Sequence, residues 1–491
     1  MRVNFLLEEN DMSKFNNNVT MKTTNKSGHV AYKMQDKEKL VSMVLTTMFG
    51  EPKFYGDNSS ELVKLAEEIC QYDPEFVSRL AVYARNVFNM RSVSHVLTCI
   101  VAHYGKGIFT RKAIAGVVQR PDDITEIMSC YIKMYGKPIP NALKRQISIQ
   151  MNKINEYGFA KYNGGNKEIT FKDVLRICHP APTTTAQDIL FNKIMTDSLE
   201  TPYTWEVELS TRGNTKEVWE ELIDSGKVGY MALLRNLANI IKASPNNINK
   251  VYDTLRNADN VHKSRQLPFR FFSAYKTLEE KGLLTSKIAD VLEDAISASV
   301  DNMEKIKGKT LIAIDVSGSM SYRISDKSTV RCSDISRLLG CIANRICEDA
   351  VIVTFDTSLK EYVHSSRSGI LSSTNRMWNC GGGTNLRLPM MKLLKSGEYF
   401  DRMIMLSDNE INSSWQGFNK TCMTDVNQYR KTVNPNFWVH AIDLMGYGTQ
   451  QYIGDKTNII AGWSERALEF INTAESGLGG IVQAIMSYSK W

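Results

Sequence analysis

The sequence predicts a multidomain protein in which a long all-α region precedes an α/β domain with a doubly wound sheet. From about residue 28 to 299, apolar residues recur at helical spacing. The C-terminal third instead alternates short, β-branched apolar runs with amphipathic stretches. With 491 residues the chain has room for two or three domains. We expect a mobile tail over 1–27, a helical region over 28–300 and the α/β domain over 301–491.

Medium-length amphipathic segments joined by short polar turns make up the predicted helical region. In RSVSHVLTCIVAHYGKG, Val93, Leu97 and Ile100 share one face, and in GYMALLRNLANIIKA the same is true of Leu233 and Leu237. Helices of this length stack in pairs in α-solenoids. The sequence shows no strict period, so we expect any repeats to have diverged.

Four apolar runs predict the strands of the α/β domain. They begin at Leu311 (LIAIDVSGSM), Val351 (VIVTFD), Met403 (MIMLSDNE) and Phe437 (FWVHAIDL). Between the first two, SDISRLLGCIANRICEDA has one apolar face, as a helix covering the sheet would. The Ser- and Thr-rich stretch 357–375 is typical of a surface loop.

Polar side chains follow two of these strands and a glycine-rich turn. Because carboxyl ends of parallel strands share one edge of a sheet, these side chains can converge there. Carboxylate and hydroxyl oxygens are hard ligands that suit Mg²⁺ or another divalent cation. Asp and Ser are also ordinary turn formers, so turns without a metal are the alternative. The candidate ligands are Asp315, Ser317, Ser319, Thr384 and Asp408.

Positive charge is concentrated in one part of the helical region. Residues 101–172 hold twelve Lys and Arg against five Asp and Glu, an excess equal to the whole net charge of +7. Such a stripe indicates a polyanion partner, or simply a solvated helical face. Because Tyr and His are interleaved with the cations, unpaired RNA fits better than duplex DNA. The candidate RNA contacts are Lys144, Arg145, Lys161, Lys167, Lys172, Arg176 and His179, and a lone His such as the last is also typical of a helix end.

Several classes of protein are disfavoured by what the sequence lacks. No apolar run approaches about 18 residues, and the start MRVNFLLEEN is unlike a secretory signal, so we expect no membrane segment. Nine cysteines without a C-x-x-C pair suggest a reduced, cytoplasmic protein. We find no P-loop, G-x-S-x-G or H-E-x-x-H motif and predict no enzymatic activity.

Three stretches in order carry a family resemblance. FKDVLRICHPAP, then KEVWEELIDSGKVGYMALLRNLANI, then DVSGSM, GGT and SDNE resemble the Ro autoantigen family, in which a TROVE module precedes a von Willebrand A domain. The resemblance covers about 28–491. It implies a ring of HEAT-like helices closed by the A domain, and a monomer. It also implies binding of small noncoding Y-like RNA and of misfolded RNA with single-stranded ends, as a scaffold for RNA quality control or stability.

Residue by residue, the resemblance implies two sites. The five oxygen ligands match the family's metal-ion-dependent adhesion site, where Mg²⁺ could recruit an exoribonuclease or another protein. Lys161, Lys172, Arg176 and His179 match the outer RNA-binding region, and Lys144, Arg145 and Lys167 flank it. Two departures are Asn385, where relatives often carry Asp, and the stiffer Pro180-Ala181-Pro182 after the His. The alternative is a metal-dependent protein-adhesion module with incidental RNA affinity.

Overall fold

The computed structural model describes most of the chain outside its first sixty residues. The described residues are 22–24, 30–46, 61–164, 167–301, 303–323, 330–363, 365, 367–377, 381–411, 421–445, 449–461, 466–476 and 480–491. Of the predicted tail, only Lys22–Thr24 is described, and it forms a strand, β1. The rest of that tail lies outside the described residues.

In the described part of the chain up to residue 300, every element is an α-helix except the strands β1 and β2 (Val30–Lys33), so the predicted all-α region is confirmed. Hydroxyl N-caps begin many of its short helices; Thr170, Thr184 and Thr215, for example, each accept a backbone N–H from the first turn. The helices are α1 (Asp36–Thr46), α2 (Glu61–Tyr72), α3 (Pro74–Asn86), α4 (Ser92–Tyr104), α5 (Gly107–Val117), α6 (Pro121–Tyr135), α7 (Asn141–Met151), α8 (Glu156–Tyr162), α9 (Phe171–Cys178), α10 (Thr185–Met195), α11 (Trp205–Arg212), α12 (Lys216–Asp224), α13 (Tyr230–Ala243), α14 (Ile248–Arg256), α15 (Ala258–Ser264), α16 (Pro268–Glu280) and α17 (Ser286–Val300).

The helical region divides into two halves with separate apolar cores. Helices α1–α10 pack around one cluster of buried residues, which includes Phe76 and Phe159. Helices α12–α17 pack around another, which includes Trp219 and Phe271. The first half contains the whole basic segment.

The C-terminal part forms a six-stranded, mostly parallel sheet with strand order β5-β4-β3-β6-β7-β9, in which only the β4–β5 pair is antiparallel. Alternate residues of each strand face opposite layers, so that Ile312 and Ile314 pack with α18 while Leu311 and Ala313 belong to the other face. The strands are β3 (Ile306–Asp315), β4 (Cys347–Phe355), β5 (Leu359–Tyr362), β6 (Arg402–Ser407), β7 (Trp438–Asp443), β8 (Thr449–Gln450) and β9 (Thr457–Ala461). The helices are α18 (Cys332–Ile346), α19 (Ile370–Arg376), α20 (Leu388–Ser396), α21 (Cys422–Thr432), α22 (Arg466–Glu475) and α23 (Ile481–Met486).

The four predicted strands and the helix between the first two are confirmed as β3, β4, β6, β7 and α18. The prediction of a surface loop over 357–375 was wrong. This stretch contains the edge strand β5, which pairs with β4 and exposes the adjacent Lys360 and Glu361. It also contains most of α19, whose apolar pair, Ile370 and Leu371, is buried. Ser and Thr content is therefore a poor guide to structure at a sheet edge.

The α/β domain contacts both ends of the helical region. In the middle of α17, the last helix of the region, both carboxylate oxygens of Glu293 accept backbone N–H groups from the first turn of α19. At the start of the region, Ser42 of α1 donates to Asp443 of β7 at 2.9 Å, and β2 pairs with β8. The helical region is thus joined to the α/β domain at its first and last helices.

A C-terminal segment strengthens the contact with the first half. α23 inserts Ile481 and Ile485 into the core of α1–α10. Beyond it, the Trp491 ring lies 3.7 Å from the Arg79 guanidinium and 3.6 Å from the Lys112 ammonium, and its Nε1 donates to Ser78 at 2.9 Å. We call residues 480–491 the clasp.

Candidate metal centre and nucleic-acid interface

The first candidate metal ligands lie where β3 ends. Asp315 is the last residue of the strand and is fully buried, and a 3-10 turn begins at Gly318. Its Oδ1 accepts the Ser317 N–H at 2.9 Å, and the Ser317 and Ser319 hydroxyl oxygens lie 3.1 Å apart. The D-x-S-x-S spacing therefore folds one carboxylate and two hydroxyls into a single tight turn.

The glycine-rich turn is hydrogen-bonded against this first turn. Gly318 N–H donates to the Gly382 carbonyl at 2.7 Å, and Gly381 N–H donates to the Val316 carbonyl at 3.0 Å. A Cβ on Gly318 would lie 3.0 Å from the Gly381 carbonyl oxygen, so this approach of two backbones favours glycine. Thr384 follows this contact and is buried.

The third element is the end of β6, beside β3 in the sheet. Ser407 donates to Asp315 Oδ2 at 2.6 Å, a support that the sequence did not reveal. Asp408 is 1 % exposed and its Oδ1 accepts the Glu410 N–H at 3.0 Å. Its Oδ2 is buried without a hydrogen-bond partner among the described residues. The turns after β3 and β6 thus bring two buried carboxylates to one edge of the sheet.

The electrostatics of this edge favour a cation. Burial raises the pKa of Asp315, and burial followed by repulsion from Asp315 raises the pKa of Asp408. The neighbouring charges that add to these shifts are also carboxylates, Asp356 and Glu410. A buried carboxylate without a counter-charge is costly, and a bound divalent cation would remove that cost.

The donor set fits Mg²⁺ or a similar hard cation, which Asp315, Ser317, Ser319, Thr384 and Asp408 would hold directly or through water. Among the described residues no cluster of three or more His, Cys, Asp and Glu side chains is arranged to bind a metal. Asn385 accepts the Arg387 N–H at 3.2 Å and so shapes the loop after Thr384.

Part of the predicted RNA site is assembled on α7 and α9, which pack against each other. Lys144 on α7 lies near the C-terminal end of α9, where its charge acts on the Cys178 thiol. Arg176 and His179 are exposed at that end, and His179 ends the helix with φ +46°. Lys172, nearer the start of α9, forms an ion pair with Asp197. Arg145 is exposed on α7, and neither it nor Lys144 has an ion pair among the described residues.

Lys161 and Lys167 belong to a different surface. Lys161 is exposed on α8, with its ammonium 5.8 Å from the centres of both the Tyr157 and Tyr162 rings. The Arg120 guanidinium lies 4.9 Å from the Tyr162 ring, a neighbour that sequence reasoning did not single out. Lys167 donates to the Tyr162 carbonyl at 2.5 Å, and burial lowers its pKa. It is therefore less available to a phosphate than Lys161.

The loop after His179 is held in place by Asn152, at the end of α7. Its Nδ2 donates to the Ala181 carbonyl at 3.0 Å, and its Oδ1 accepts the Thr183 N–H at 3.0 Å. Nothing in the sequence distinguishes this Asn from other helix-end residues, because its partners lie about thirty positions away. The loop is thus exposed but fixed beside the α7–α9 surface.

The second half of the helical region contains a groove between α13 and α16. It has a volume of about 460 Å³ and an apolar floor that includes Leu234 and Leu278. Arg235 and Arg270, both exposed, also line it. Arg235 lies on α13 and Arg270 on α16, so it is the packing of these two helices that brings both arginines to one groove.

Sequence comparisons agree with both parts of this architecture. The profile of the TROVE domain matches residues 5–197 and 195–316, and that of the Ro60 vWA domain matches residues 309–449. The chain belongs to the Ro family. In this family a TROVE domain precedes a Ro60 vWA domain, the order observed here.

This chain spans only part of the length of the curated relatives that it matches. Telomerase protein component 1 of Rattus norvegicus is 24 % identical over 339 residues, 50 % of this chain and 13 % of that protein. The protein of the same name from Mus musculus is 24 % identical over 310 residues, 45 % of this chain and 12 % of that protein. RNA-binding protein RO60 of Caenorhabditis elegans is 26 % identical over 220 residues, 42 % of this chain and 33 % of that protein.

The solved structure of the Deinococcus radiodurans RO (RSR) protein shares the fold. It superimposes with a TM-score of 0.62 at 15 % sequence identity and covers 90 % of this chain and 100 % of that one. The Ro family consists generally of non-enzymatic RNA-binding proteins. Within the described parts of the chain, no helix has the length and hydropathy needed to cross a bilayer.

Proposed function

We propose that this Ro family member is a non-enzymatic scaffold that binds small noncoding, Y-like RNA and misfolded RNA with single-stranded ends. Its role would be RNA quality control or RNA stability, in the cytoplasm, as a monomer. The observation that carries the proposal is the α7–α9 surface, where Lys144 lies near the end of α9 that exposes Arg176 and His179, beside the fixed loop. Arg145 is exposed on the same helix as Lys144. The eight described cysteines are all free, which agrees with a reducing compartment.

The chemistry of this surface suits RNA. Lys144 and Arg145 have no ion pair among the described residues, so binding phosphate does not require breaking one. Lys172 must exchange Asp197 for a phosphate, and it therefore contributes less. His179 projects from the end of α9, where an imidazole can stack on an unpaired base. Lys161, with Tyr157 and Tyr162, forms a second basic patch on α8. Arg120 lies beside it but is paired with Asp122, so it also contributes less.

The α13–α16 groove is the candidate site for a single-stranded end. Its apolar floor can receive a base, while Arg235 and Arg270 can neutralise phosphates. It lies in the other half of the helical region from the α7–α9 surface. Two separated sites would favour RNAs that have both a folded part and a free end.

The metal centre would serve a protein partner. Mg²⁺ held by Asp315, Ser317, Ser319, Thr384 and Asp408 could accept a carboxylate from another protein, such as an exoribonuclease delivered to the bound RNA. The buried Asp408 Oδ2 supports this proposal, since it has no other partner among the described residues. Ser407 and the Gly381–Gly382 contact would hold the ligands in position.

The test of RNA binding is a gel shift with structured RNAs that carry or lack a single-stranded 3′ tail. We expect Lys172→Ala/Arg176→Ala/His179→Ala to weaken binding and to lower the slope of log K against log salt by about 1 for each phosphate that is no longer neutralised. Lys242→Ala/Lys263→Ala/Lys281→Ala removes cations from the second half and is the control. Equal, tail-independent weakening in both triple variants would contradict the proposal.

The alternative is a metal-dependent adhesion module with incidental RNA affinity. The effect of Mg²⁺ on stability and on RNA binding tests the metal site separately from RNA binding. We expect Mg²⁺ to raise the melting temperature of the wild type and not that of Asp315→Ala/Asp408→Ala, while RNA affinity is equal in both. The same variant in RNA gel shifts serves as the control for folding. If Mg²⁺ has no effect on the wild type, the metal proposal fails and the RNA proposal stands.

A further inference from the structure

A pocket lies beside the α7–α9 surface, between the first turns of α8 and α10. It has a volume of about 310 Å³, near the lower end for ligand pockets, so it suits one small ring system. Ile154, Ile189 and Leu190 give it apolar walls. Ile189 is 54 % exposed, an unusually large fraction for an isoleucine.

The polar groups of this pocket favour a neutral ligand. Lys193 and Glu156 both line it, but they form an ion pair at 2.8 Å and so neutralise each other. The Asn155 Oδ1 accepts the Gly158 N–H at 2.8 Å, as the N-cap of α8, which leaves its Nδ2 as a donor on an exposed residue. The pocket therefore combines apolar walls with amide groups and offers no net charge.

Gln187 adds an acceptor whose identity is fixed. Its Nε2 lies 2.7 Å from the Asn152 carbonyl oxygen and 3.2 Å from that of Ile154, and carbonyl oxygens can only accept. The other end of the amide must be Oε1, which is buried and makes no hydrogen bond among the described residues. An unsatisfied buried acceptor costs free energy, and a small movement of the Gln187 side chain would let a ligand N–H recover it.

We propose that this pocket receives one unpaired base of an RNA bound on the α7–α9 surface. The inference rests on the proposed RNA binding and adds a base-reading site to it. A base is planar and neutral, its faces are apolar, and its edge carries both acceptors for Asn155 Nδ2 and donors for Gln187 Oε1. Asn152 holds the loop after His179 and also accepts from Gln187, so the pocket and the cationic surface share one support.

The experiment uses the full chain and two hairpin RNAs, one fully paired and one with a single bulged 2-aminopurine. Ala186 lines the pocket and is exposed, so Ala186→Trp fills the pocket without changing charge. Thr185→Trp places the same bulk on the neighbouring exposed residue, which does not line the pocket, and is the matched control. We expect Ala186→Trp to weaken binding of the bulged hairpin about tenfold, and the paired hairpin to bind as before.

Two further measurements distinguish a blocked pocket from a misfolded variant. Asn155→Ser keeps an uncharged N-cap oxygen but removes the Nδ2 donor, and we expect it to weaken only the bulged hairpin. Replacing the bulged base by an abasic site should weaken wild-type binding by the same factor of about ten, with no further weakening in Ala186→Trp. Additive effects, or equal weakening of both hairpins, overturn the pocket. If wild type binds neither hairpin, or if Lys172→Ala/Arg176→Ala changes neither affinity, the proposed RNA binding itself fails.

Discussion

The two halves of the helical region are joined to the α/β domain in different ways. The second half shares one continuous apolar core with a face of the sheet, which extends from Val218 of α12 to Ile471 of α22. The first half has its own core and is fastened by the clasp, by Ser42 on Asp443 and by the β2–β8 pair. The first half shares only short C-terminal elements with its core, chiefly Ile481 and Ile485 of α23, whereas the second half shares a whole face of the sheet. We therefore expect the second half to unfold with the α/β domain and the first half to form a separate cooperative unit.

The proposed binding sites are divided between the two units. The α7–α9 surface lies wholly in the first half, while the metal centre and the α13–α16 groove lie in the other unit. If the units separate under mild denaturant, RNA binding to α7–α9 and metal binding should disappear at different denaturant concentrations. Substitutions confined to one unit or to one junction test this separation.

The largest effect is expected from Asp123, which organises the interior of the first half. This fully buried carboxylate accepts from Arg91 at 2.5 Å, from His95 at 3.1 Å and from the Gln119 and Arg120 N–H groups at 3.0 and 2.9 Å. Asp123→Ala leaves Arg91 with Asp122 but removes the ion pair of the buried Arg85, and it should destabilise the first half by about 3–5 kcal/mol. Urea denaturation followed by hydrogen exchange of α3–α6 measures it. An equal decrease of protection in α18 would show that the halves are not separate.

The next effect is acid sensitivity of the α/β domain at Glu475. Burial raises its pKa, but hydrogen bonds from His440 and from Arg402 outweigh burial and lower the pKa to about 2. The pKa is lowered on folding, so this stabilisation is present above the ordinary value of 4.5 and is lost as pH falls from there towards 2. The difference corresponds to about 3 kcal/mol. Unfolding free energies at pH 6 and pH 3 should diverge in the wild type and much less in Glu475→Gln; similar slopes in both would contradict this.

A smaller effect is expected at the clasp. Trp491→Ala removes two cation–π contacts of about 0.5–1 kcal/mol each and one hydrogen bond of about 1 kcal/mol, so attachment of the first half should weaken by about 2 kcal/mol. We expect the gap between the two unfolding transitions to widen while the second-half transition stays in place. Differential scanning calorimetry checks this, with Trp438→Ala, on the sheet, as a variant that should instead shift the other transition.

The smallest effect compares one polar contact from each junction. Ser42→Ala removes the hydrogen bond to Asp443, and Glu293→Gln weakens the cap on α19; each should cost about 1 kcal/mol. Ser42→Ala should lower the temperature at which the first half unfolds. Glu293→Gln should instead lower the temperature at which the second half and the α/β domain unfold together. Calorimetry of the two variants measures both temperatures. If both variants move the same transition, the two junctions are equivalent and the expected difference between the halves is wrong.

The sequence by itself predicted the local structure well. Apolar periodicity placed α4, α13, α18 and the four parallel strands, because each such element buries a face defined by its own side chains. The positions of Asp315 and Asp408 after two such strands also indicated that they would lie close together, since parallel strands bring their carboxyl ends to one edge of the sheet. The prediction for 357–375 failed because its strand and helix are stabilised by neighbours distant in sequence, among them Glu293.

Only the tertiary structure decided which charged residues are available and which surfaces are joined. Composition counted Lys167 and Lys172 with the other cations, yet one donates to a carbonyl and the other pairs with Asp197. The support of Asp315 by Ser407, the loop held by Asn152 and the pocket lined by Gln187 likewise depend on contacts across about thirty residues or more. Periodicity is a property of neighbours along the chain, whereas pairing, burial and cavities depend on how distant segments pack.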